Sequence, residues 1–333
     1  MHKGLRKKEL KLVVLVPAFN EGNTVAKVIR LVPRKIIGIS EVLVFLVDDG
    51  STDNTVKEAY EAGVDFVVCH PVNQGVGQSF RDGVNKALEM GADILVNIDA
   101  DNQHNPSDIP RLLTPILSEG FDVVVGSRYL DGLKLDMPRI KAIGNNFFTR
   151  LVSWITGVRL TDTQSGFRAF SREAALKLNT YGKFTYTQES LIQLAIKGLK
   201  IKEVPINVNR RDGKSKVVRH WYSYGLRAIG TIIRSLKDYR PLFFFGTLAL
   251  MAWATAFSTG SMVFIHWLIT GRTFPYTSLI DFVVLSALAG LGLMVMAIAG
   301  DMMSRQRKVQ EETLYHIKWL HYDKMIKDRE NDR

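Results

Sequence analysis

Asn97-Ile98-Asp99-Ala100-Asp101-Asn102-Gln103-His104-Asn105-Pro106 is the stretch on which the reading of this chain turns. It follows an alternating apolar run, Ile94, Val96 and Ile98, that reads as a buried strand, and it sets two carboxylates, Asp99 and Asp101, just past that strand's end. Hard oxygen donors in this arrangement suit Mg2+ or Mn2+. Such ions keep several waters and bind through one or two carboxylates together with substrate phosphates, so the pair points to nucleotide chemistry. A lone D-x-D is also what a solvated acidic turn contains, because Asp is a common turn residue. The flanking segments decide between the two.

Upstream, an apolar strand over residues 12–16 ends at Pro17-Ala18-Phe19-Asn20-Glu21-Gly22, and Asn23-Thr24 can cap a helix carrying Val25, Val28, Ile29 and Val32. A second strand, 42–47, stops at Asp48-Asp49-Gly50-Ser51. A third, 66–69, leads into His70-Pro71-Val72-Asn73-Gln74-Gly75-Val76-Gly77 and a further helix. Strands alternating with helices of this length predict an α/β, doubly wound, mainly parallel sheet with helices on both faces. In such sheets ligands bind outside the carboxyl ends of the strands, where residues 17–21, Asp48-Asp49 and 99–103 would converge. A dinucleotide fold would share that crevice, but its Gly-rich fingerprint should open the first helix, and here that turn reads P-A-F-N-E-G.

Downstream, residues 121–126 read as another strand ending at Ser127-Arg128-Tyr129, followed by Arg139 and by Asp162-Thr163-Gln164-Ser165-Gly166-Phe167-Arg168. Glu189 falls in the first turn of a helix starting near Thr187, where a carboxylate is stabilised by the helix dipole and serves equally as a cap. A strand is expected at 204–208, ahead of the basic loop Arg210-Arg211-Asp212-Gly213-Lys214-Ser215-Lys216.

The last third has a different composition. Residues 242–270 hold only His266 as an ionisable side chain and 282–300 hold none; 19 helical residues reach about 29 Å, close to the hydrocarbon thickness of a bilayer. The net charge of +11 gathers beside these runs, with nine Lys and Arg in 210–240, eight in 301–333 and only Arg272 in the link. The positive-inside rule then places both flanks in the cytoplasm and the link outside, giving a multi-pass protein of the cell membrane. The charge hugs the membrane segments and no nucleic-acid motif appears, so no nucleic-acid partner is expected. Residues 218–240 set Tyr222, Leu226, Ile229, Ile233 and Leu236 on one helical face, suited to lie among membrane lipids at headgroup depth. The single Cys69 allows no internal disulfide, in keeping with a reducing compartment, and the basic first ten residues lack the apolar core of a cleaved signal peptide. The expected organisation is a catalytic domain at 1–216, a juxtamembrane amphipathic helix at 217–240, two transmembrane helices within 241–300 and a basic cytoplasmic tail at 301–333.

Taken together, V-P-A-F-N-E-G, V-D-D-G-S-T-D-N-T, N-Q-G-V-G, D-A-D-N-Q-H-N-P, G-S-R-Y, D-T-Q-S-G-F and R-D-G-K-S-K resemble the inverting glycosyltransferases of family 2 with the GT-A fold. Among these they look like the dolichyl-phosphate or polyprenyl-phosphate mannose and glucose synthases, over about residues 10–216. The resemblance implies that Pro17, Phe19, Glu21, Val47 and Asp49 hold the base and ribose of a nucleotide sugar, GDP-mannose or UDP-glucose, with Asp99 and Ala100 closing on the same nucleotide. It assigns a Mg2+ or Mn2+ ion to Asp101 and Gln103, with Asp99 as a further ligand, and sets Arg128, Arg139, Arg211 and Lys216 against donor and acceptor phosphates. Such synthases often carry a serine where this chain has Ile143, so either Asn145 or Asn146 takes that place or the acceptor is gripped differently.

The implied reaction moves a hexosyl group to a polyprenyl or dolichyl phosphate. A phosphate monoester with a second pKa near ~6 is already mostly dianionic at neutral pH and attacks without a base. For an acceptor hydroxyl, Glu189 is the expected base. The competing expectations are a transferase that extends a lipid-linked sugar and a nucleotide-binding membrane subunit without catalysis; a homo-oligomer is compatible with any of them. A nucleotidyltransferase lacks its Gly-rich first turn here, and two spans are too few for a polysaccharide channel.

Overall fold

The computed structural model describes residues 9–130, 149–154, 156–179, 186–209, 230, 233–234 and 236–331. Two compact units emerge: Met1–Ile232 together with Tyr315–Arg333, and Ile233–Leu314.

In the first unit the described residues build a seven-stranded sheet. In chain order its elements are β1 (Lys11–Ala18), α1 (Val25–Leu31), β2 (Glu41–Asp48), α2 (Thr55–Glu61), β3 (Phe66–Cys69), α3 (Val76–Glu89) and β4 (Ile94–Asn97). They continue with α4 (Ile109–Glu119), β5 (Val123–Ser127), β6 (Arg168–Ser171), α5 (Arg172–Lys177), α6 (Tyr186–Ile196) and β7 (Ile201–Pro205). The strand order is β3-β2-β1-β4-β6-β5-β7. β1 pairs in parallel with β2 and β4, β2 with β3, and β5 with β7, so the sheet is mainly parallel, as expected.

β1 reads as an unbroken apolar run because both of its faces are covered. Leu12, Val14 and Val16 join a core with Val25, Val28 and Ile29 of α1 and Leu112 and Leu113 of α4. On the other face Leu15 meets α3 at Gly83, where an added Cβ would fall 2.4 Å from the leucine side chain. Each of these side chains gains about 1.5–3 kcal/mol by leaving water.

Residues 168–171 form β6, which inserts antiparallel between β4 and β5. Only four residues long and opening on a buried arginine, this strand carries no period-two signal. The strand expected at 204–208 lies instead at Ile201–Pro205. Residues after it turn to the loops: Asn207 donates through its backbone and side-chain nitrogens to Asp108 (2.7 and 3.0 Å), and the Asn209 amide donates to Gln103 O (2.9 Å).

In the second unit α7 (Pro241–Thr270) and the first part of α8 (Thr277–Asn331) are long and apolar enough to cross a membrane. Phe257, Ile269 and Leu285 point outward, a pattern suited to lipid rather than water. The helices meet through small and polar groups: Thr255 and Ser286 hydroxyls are 3.0 Å apart, and the Trp253 indole donates to Ala287 O at 3.2 Å. Most of the amphipathic segment expected at 217–240 lies outside the described residues.

The end of α8, from Tyr315 on, belongs to the first unit and packs within it. Tyr315, Lys318, Tyr322, Ile326 and Arg329 share one helical face. Lys177 sits over the Tyr315 ring, Lys318 donates to Leu178 O (3.1 Å) and Asn179 Oδ1 (2.8 Å), and Arg329 donates to Glu89 O (3.1 Å). Burial, with Lys197 nearby, lowers the Lys318 ammonium to about 8. Tyr322 is buried at the centre of this strip, beside Asn85. Replacing it, Tyr322→Ala, is expected to cost about 2–3 kcal/mol. The melting midpoint of detergent-solubilised protein should fall by roughly 4–10 °C in scanning fluorimetry; an unchanged midpoint would mean that the strip does not hold in solution.

Candidate active site

The parallel register Pro17↔Val47 and Leu15↔Asn97 brings the carboxyl ends of β1, β2 and β4 to one edge, so the three polar segments converge there. The turn after β1 is latched to the turn after β2. Asn20, at φ 55°, gives its amide to Ser51 Oγ (2.8 Å) and takes the Thr52 amide on Oδ1 (2.8 Å). The Glu21 amide reaches Thr55 Oγ1 (2.8 Å) and the Gly22 amide reaches Asp53 Oδ2 (3.1 Å). In D-D-G-S-T-D-N-T the residues Ser51, Asp53 and Thr55 therefore shape the turn that presents Phe19 and Glu21. Asp49 is buried beside them, next to Val47 of β2.

The acidic loop is set by its own backbone. The Ile98 amide bonds Leu15 O (3.0 Å), Ala100 is buried, Asn102 takes φ 58°, and the Gln103 amide donates to Asp101 Oδ1 (3.0 Å), which orients that carboxylate. Asn97 ties the base of the loop to two other segments, donating from Nδ2 to Gly166 O (2.7 Å) and Tyr186 OH (3.2 Å). Gly166 passes so close that an added Cβ would lie 2.6 Å from an Asp99 oxygen. Glu189 stands in the first turn of α6, three residues past Tyr186.

Arg128, at the end of β5, is gripped by Asp162: Nε to Oδ2 at 2.6 Å and a terminal nitrogen to Oδ1 at 2.9 Å. Burial opposes both charges, but the bond and the mutual attraction outweigh it, pushing the arginine up and holding the Asp162 carboxyl below its ordinary range. Asp162 also accepts the amides of Gln164 and Ser165, and Glu203 of β7 accepts those of Thr161 and Asp162. His104 is buried between these groups and stacks on Phe167 (centroids 5.6 Å apart). Burial, then the charge of Arg128, lowers it to about 4 against the pull of Asp101 and Asp162, so it is neutral at physiological pH.

Asp99, Ala100, Asp101, Gln103 and Arg128 are thus brought together, with Pro17, Phe19, Glu21, Val47 and Asp49 on the same edge. Arg139, Ile143, Asn145, Asn146, Arg211 and Lys216 lie outside the described residues. The roles of Asp162, Gly166, Asn97 and His104 are not legible in the sequence. Their partners are distant in sequence, and no local pattern marks them. Among the described residues no three or more of His, Cys, Asp and Glu gather into a metal cluster. The hard donors Asp99, Asp101 and Gln103, beside a neutral His104, still fit an ion that takes much of its coordination from diphosphate and water.

Residues 13–178 match the family model described as glycosyl transferase family 2. The UDP-N-acetylglucosamine–dolichyl-phosphate N-acetylglucosaminyltransferase of Methanococcus voltae is 34% identical over 215 residues, covering 59% of this chain and 84% of that one. The dolichyl-phosphate hexose transferase of Haloferax volcanii is 31% identical over 206 residues, covering 62% and 86%. Among solved structures, glucosyl-3-phosphoglycerate synthase from Mycobacterium tuberculosis, in complex with Mn2+, UDP and glucosyl-3-phosphoglycerate, superposes with a TM-score of 0.55 at 22% identity. That match covers 69% of this chain and 81% of the other.

Proposed function

Because this chain belongs to glycosyl transferase family 2, we infer that its GT-A domain transfers a hexose, mannose or glucose, from a nucleotide sugar to polyprenyl or dolichyl phosphate at a membrane. The observation that carries this is the acidic loop held against Gly166 and beside the Arg128–Asp162 pair, at the edge where β1, β2 and β4 end.

Pro17, Phe19, Glu21, Val47 and Asp49 are assigned to the nucleoside. Asp101 and Gln103, with Asp99, would hold Mg2+ or Mn2+, whose charge offsets that growing on the leaving diphosphate. The Asp162 fork occupies Nε and one terminal nitrogen of Arg128; the other terminal nitrogen carries the donors assigned to the diphosphate. Arg139, Arg211 and Lys216 are assigned to acceptor phosphate. An acceptor phosphate oxygen bonds the anomeric carbon as the bond to diphosphate breaks, with inversion. The dianionic acceptor surrenders no proton, so Glu189 is needed only if the acceptor is a hydroxyl.

Two helices long and apolar enough to cross a membrane support the lipid acceptor. Residues 315–331 pack in the same unit as the catalytic residues, which requires an even number of crossings between them; two spans and the positive-inside charge favour a cytoplasmic catalytic domain and C-terminus in the cell membrane.

The test is a panel of GDP-mannose, UDP-glucose and other donors with polyprenyl phosphate and no glycan primer. Transfer should be abolished by EDTA and restored by Mg2+ or Mn2+, with an acid-labile lipid product. Turnover only with a lipid-linked sugar would overturn this reading. Gly166→Ala, which drives a methyl into the Asp99 carboxylate, is expected to lower kcat by roughly 10²-fold, a rate change checked by steady-state kinetics.

A further inference from the structure

The N-Q-G-V-G segment after β3 is a tight turn before α3 whose amides are directed onto a carboxylate. Gly75 takes φ 96° ahead of α3, a conformation open to glycine, and the amides of Gln74 and Gly75 turn onto Asp49 Oδ1 and Oδ2, each at 2.9 Å. Gly50, at φ 75°, lies directly on the same segment: an added Cβ would sit 2.8 Å from the Val72 carbonyl carbon. The loop 70–75 therefore wraps the Asp49 turn closely.

His70 completes this wrap. Its backbone amide bonds Asp48 O at 2.8 Å, and its buried ring sets Nδ1 2.8 Å from Asp49 Oδ1, while Nε2 lies 3.3 Å from Asp82 Oδ2 on α3 without forming a hydrogen bond. Asp82 is itself held by Gln78 Nε2 at 2.7 Å. Since a carboxylate only accepts, the ring donates to Asp49 through Nδ1–H. A carboxylate offers about four acceptor positions. Two on Oδ1 serve His70 and Gln74 and one on Oδ2 serves Gly75, which leaves one on Oδ2.

We propose that His70 is a positioning residue for the nucleoside end of the donor site: bonded through Nδ1 to Asp49, it fixes that carboxylate so that its remaining acceptor position on Oδ2 meets a nucleoside hydroxyl or ring N–H. The proposal rests on the assignment of Asp49 to the nucleoside, and its consequence is specific. Asp49 discriminates by a single hydrogen bond whose direction depends on a ring that does not touch substrate.

Asparagine and glutamine separate the two ring nitrogens, because the amide nitrogen of Asn stands near Nδ1 and that of Gln near Nε2. In full-length protein, with the donor that the panel identifies, His70→Ala should raise the donor KM about 10-fold and leave kcat and the acceptor KM within about two-fold, a loss of ~1.4 kcal/mol. His70→Asn should recover most of the donor KM, and His70→Gln should not. Equal donor KM values for the Asn and Gln variants, or an unchanged donor KM in the Ala variant, overturn the proposal. If the Ala variant does not fold, the Asn and Gln pair decides alone. Asp49→Asn is run alongside. An unchanged donor KM there defeats the nucleoside assignment itself, whereas a raised KM with an indifferent His70→Ala defeats only the role of His70.

Discussion

Asp101→Asn is expected to lower kcat by about 10²–10³-fold, or ~3–4 kcal/mol of transition-state stabilisation, while the protein melts within a degree or two of the wild type. The geometry explains why the effect should fall on chemistry. Asp101 Oδ1 accepts the Gln103 amide at 3.0 Å, and an asparagine carbonyl oxygen accepts the same bond, so the loop keeps its shape and only the negative charge is lost. The deficit should lessen as Mn2+ is raised, because the remaining donors bind the ion more weakly. Full turnover at ordinary metal concentrations would remove Asp101 from the mechanism.

The second large effect is expected at Asp162, a residue that touches its target through Arg128. Asp162→Ala leaves the buried guanidinium without its fork and frees the amides of Gln164 and Ser165, a loss of about 3–5 kcal/mol. We expect the melting midpoint to drop by roughly 10 °C, and the protein that remains folded to show a raised donor KM. Asp162→Asn keeps the shape but turns an NH2 onto donors and removes the counter-charge of Arg128, so it should recover only part of the stability. The pair also has an acid limb. The Asp162 carboxyl is held below its ordinary range in the fold, so its contribution is present above the ordinary aspartate pKa and is lost as pH falls towards the lowered value. Melting curves taken from neutral pH down through the ordinary aspartate pKa should lack this limb in the asparagine variant. If both variants melt with the wild type, Arg128 is held by something other than this bond.

Much of the first unit is legible without coordinates. β1, β2 and β4 are runs of apolar residues bounded by polar turns, and a strand covered on both faces must look that way. The convergence of residues 17–21, Asp49 and 99–103 follows from parallel pairing alone, since parallel strands end at one edge. β6 escaped notice because four residues beginning at Arg168 carry no alternation. That arginine is fully buried and donates to Thr163 O, Thr187 O and Ser190 Oγ, and burial lowers it to about 10. A charge in the middle of a sheet reads as a loop until its acceptors are known.

The motifs themselves divide along the same line. In D-D-G-S-T-D-N-T, Ser51, Asp53 and Thr55 prove to latch a neighbouring turn. In N-Q-G-V-G the amides of Gln74 and Gly75 serve Asp49. In D-T-Q-S-G-F, Asp162 holds an arginine 34 positions earlier and Gly166 makes room for Asp99.

What the chain determines by itself is whatever repeats over a few residues: the buried parallel strands, the acidic pair beyond the fourth of them, and two helices of membrane length. Those features arise from local periodicity and from the cost of placing apolar surface in water, and each is written within a short window. The tertiary structure alone decided which acid holds Arg128, which glycine clears space for Asp99, what fixes Asp49 and where the end of α8 packs. Those are contacts between side chains far apart along the chain, set by strand order and loop approach, and no interval in the sequence encodes them.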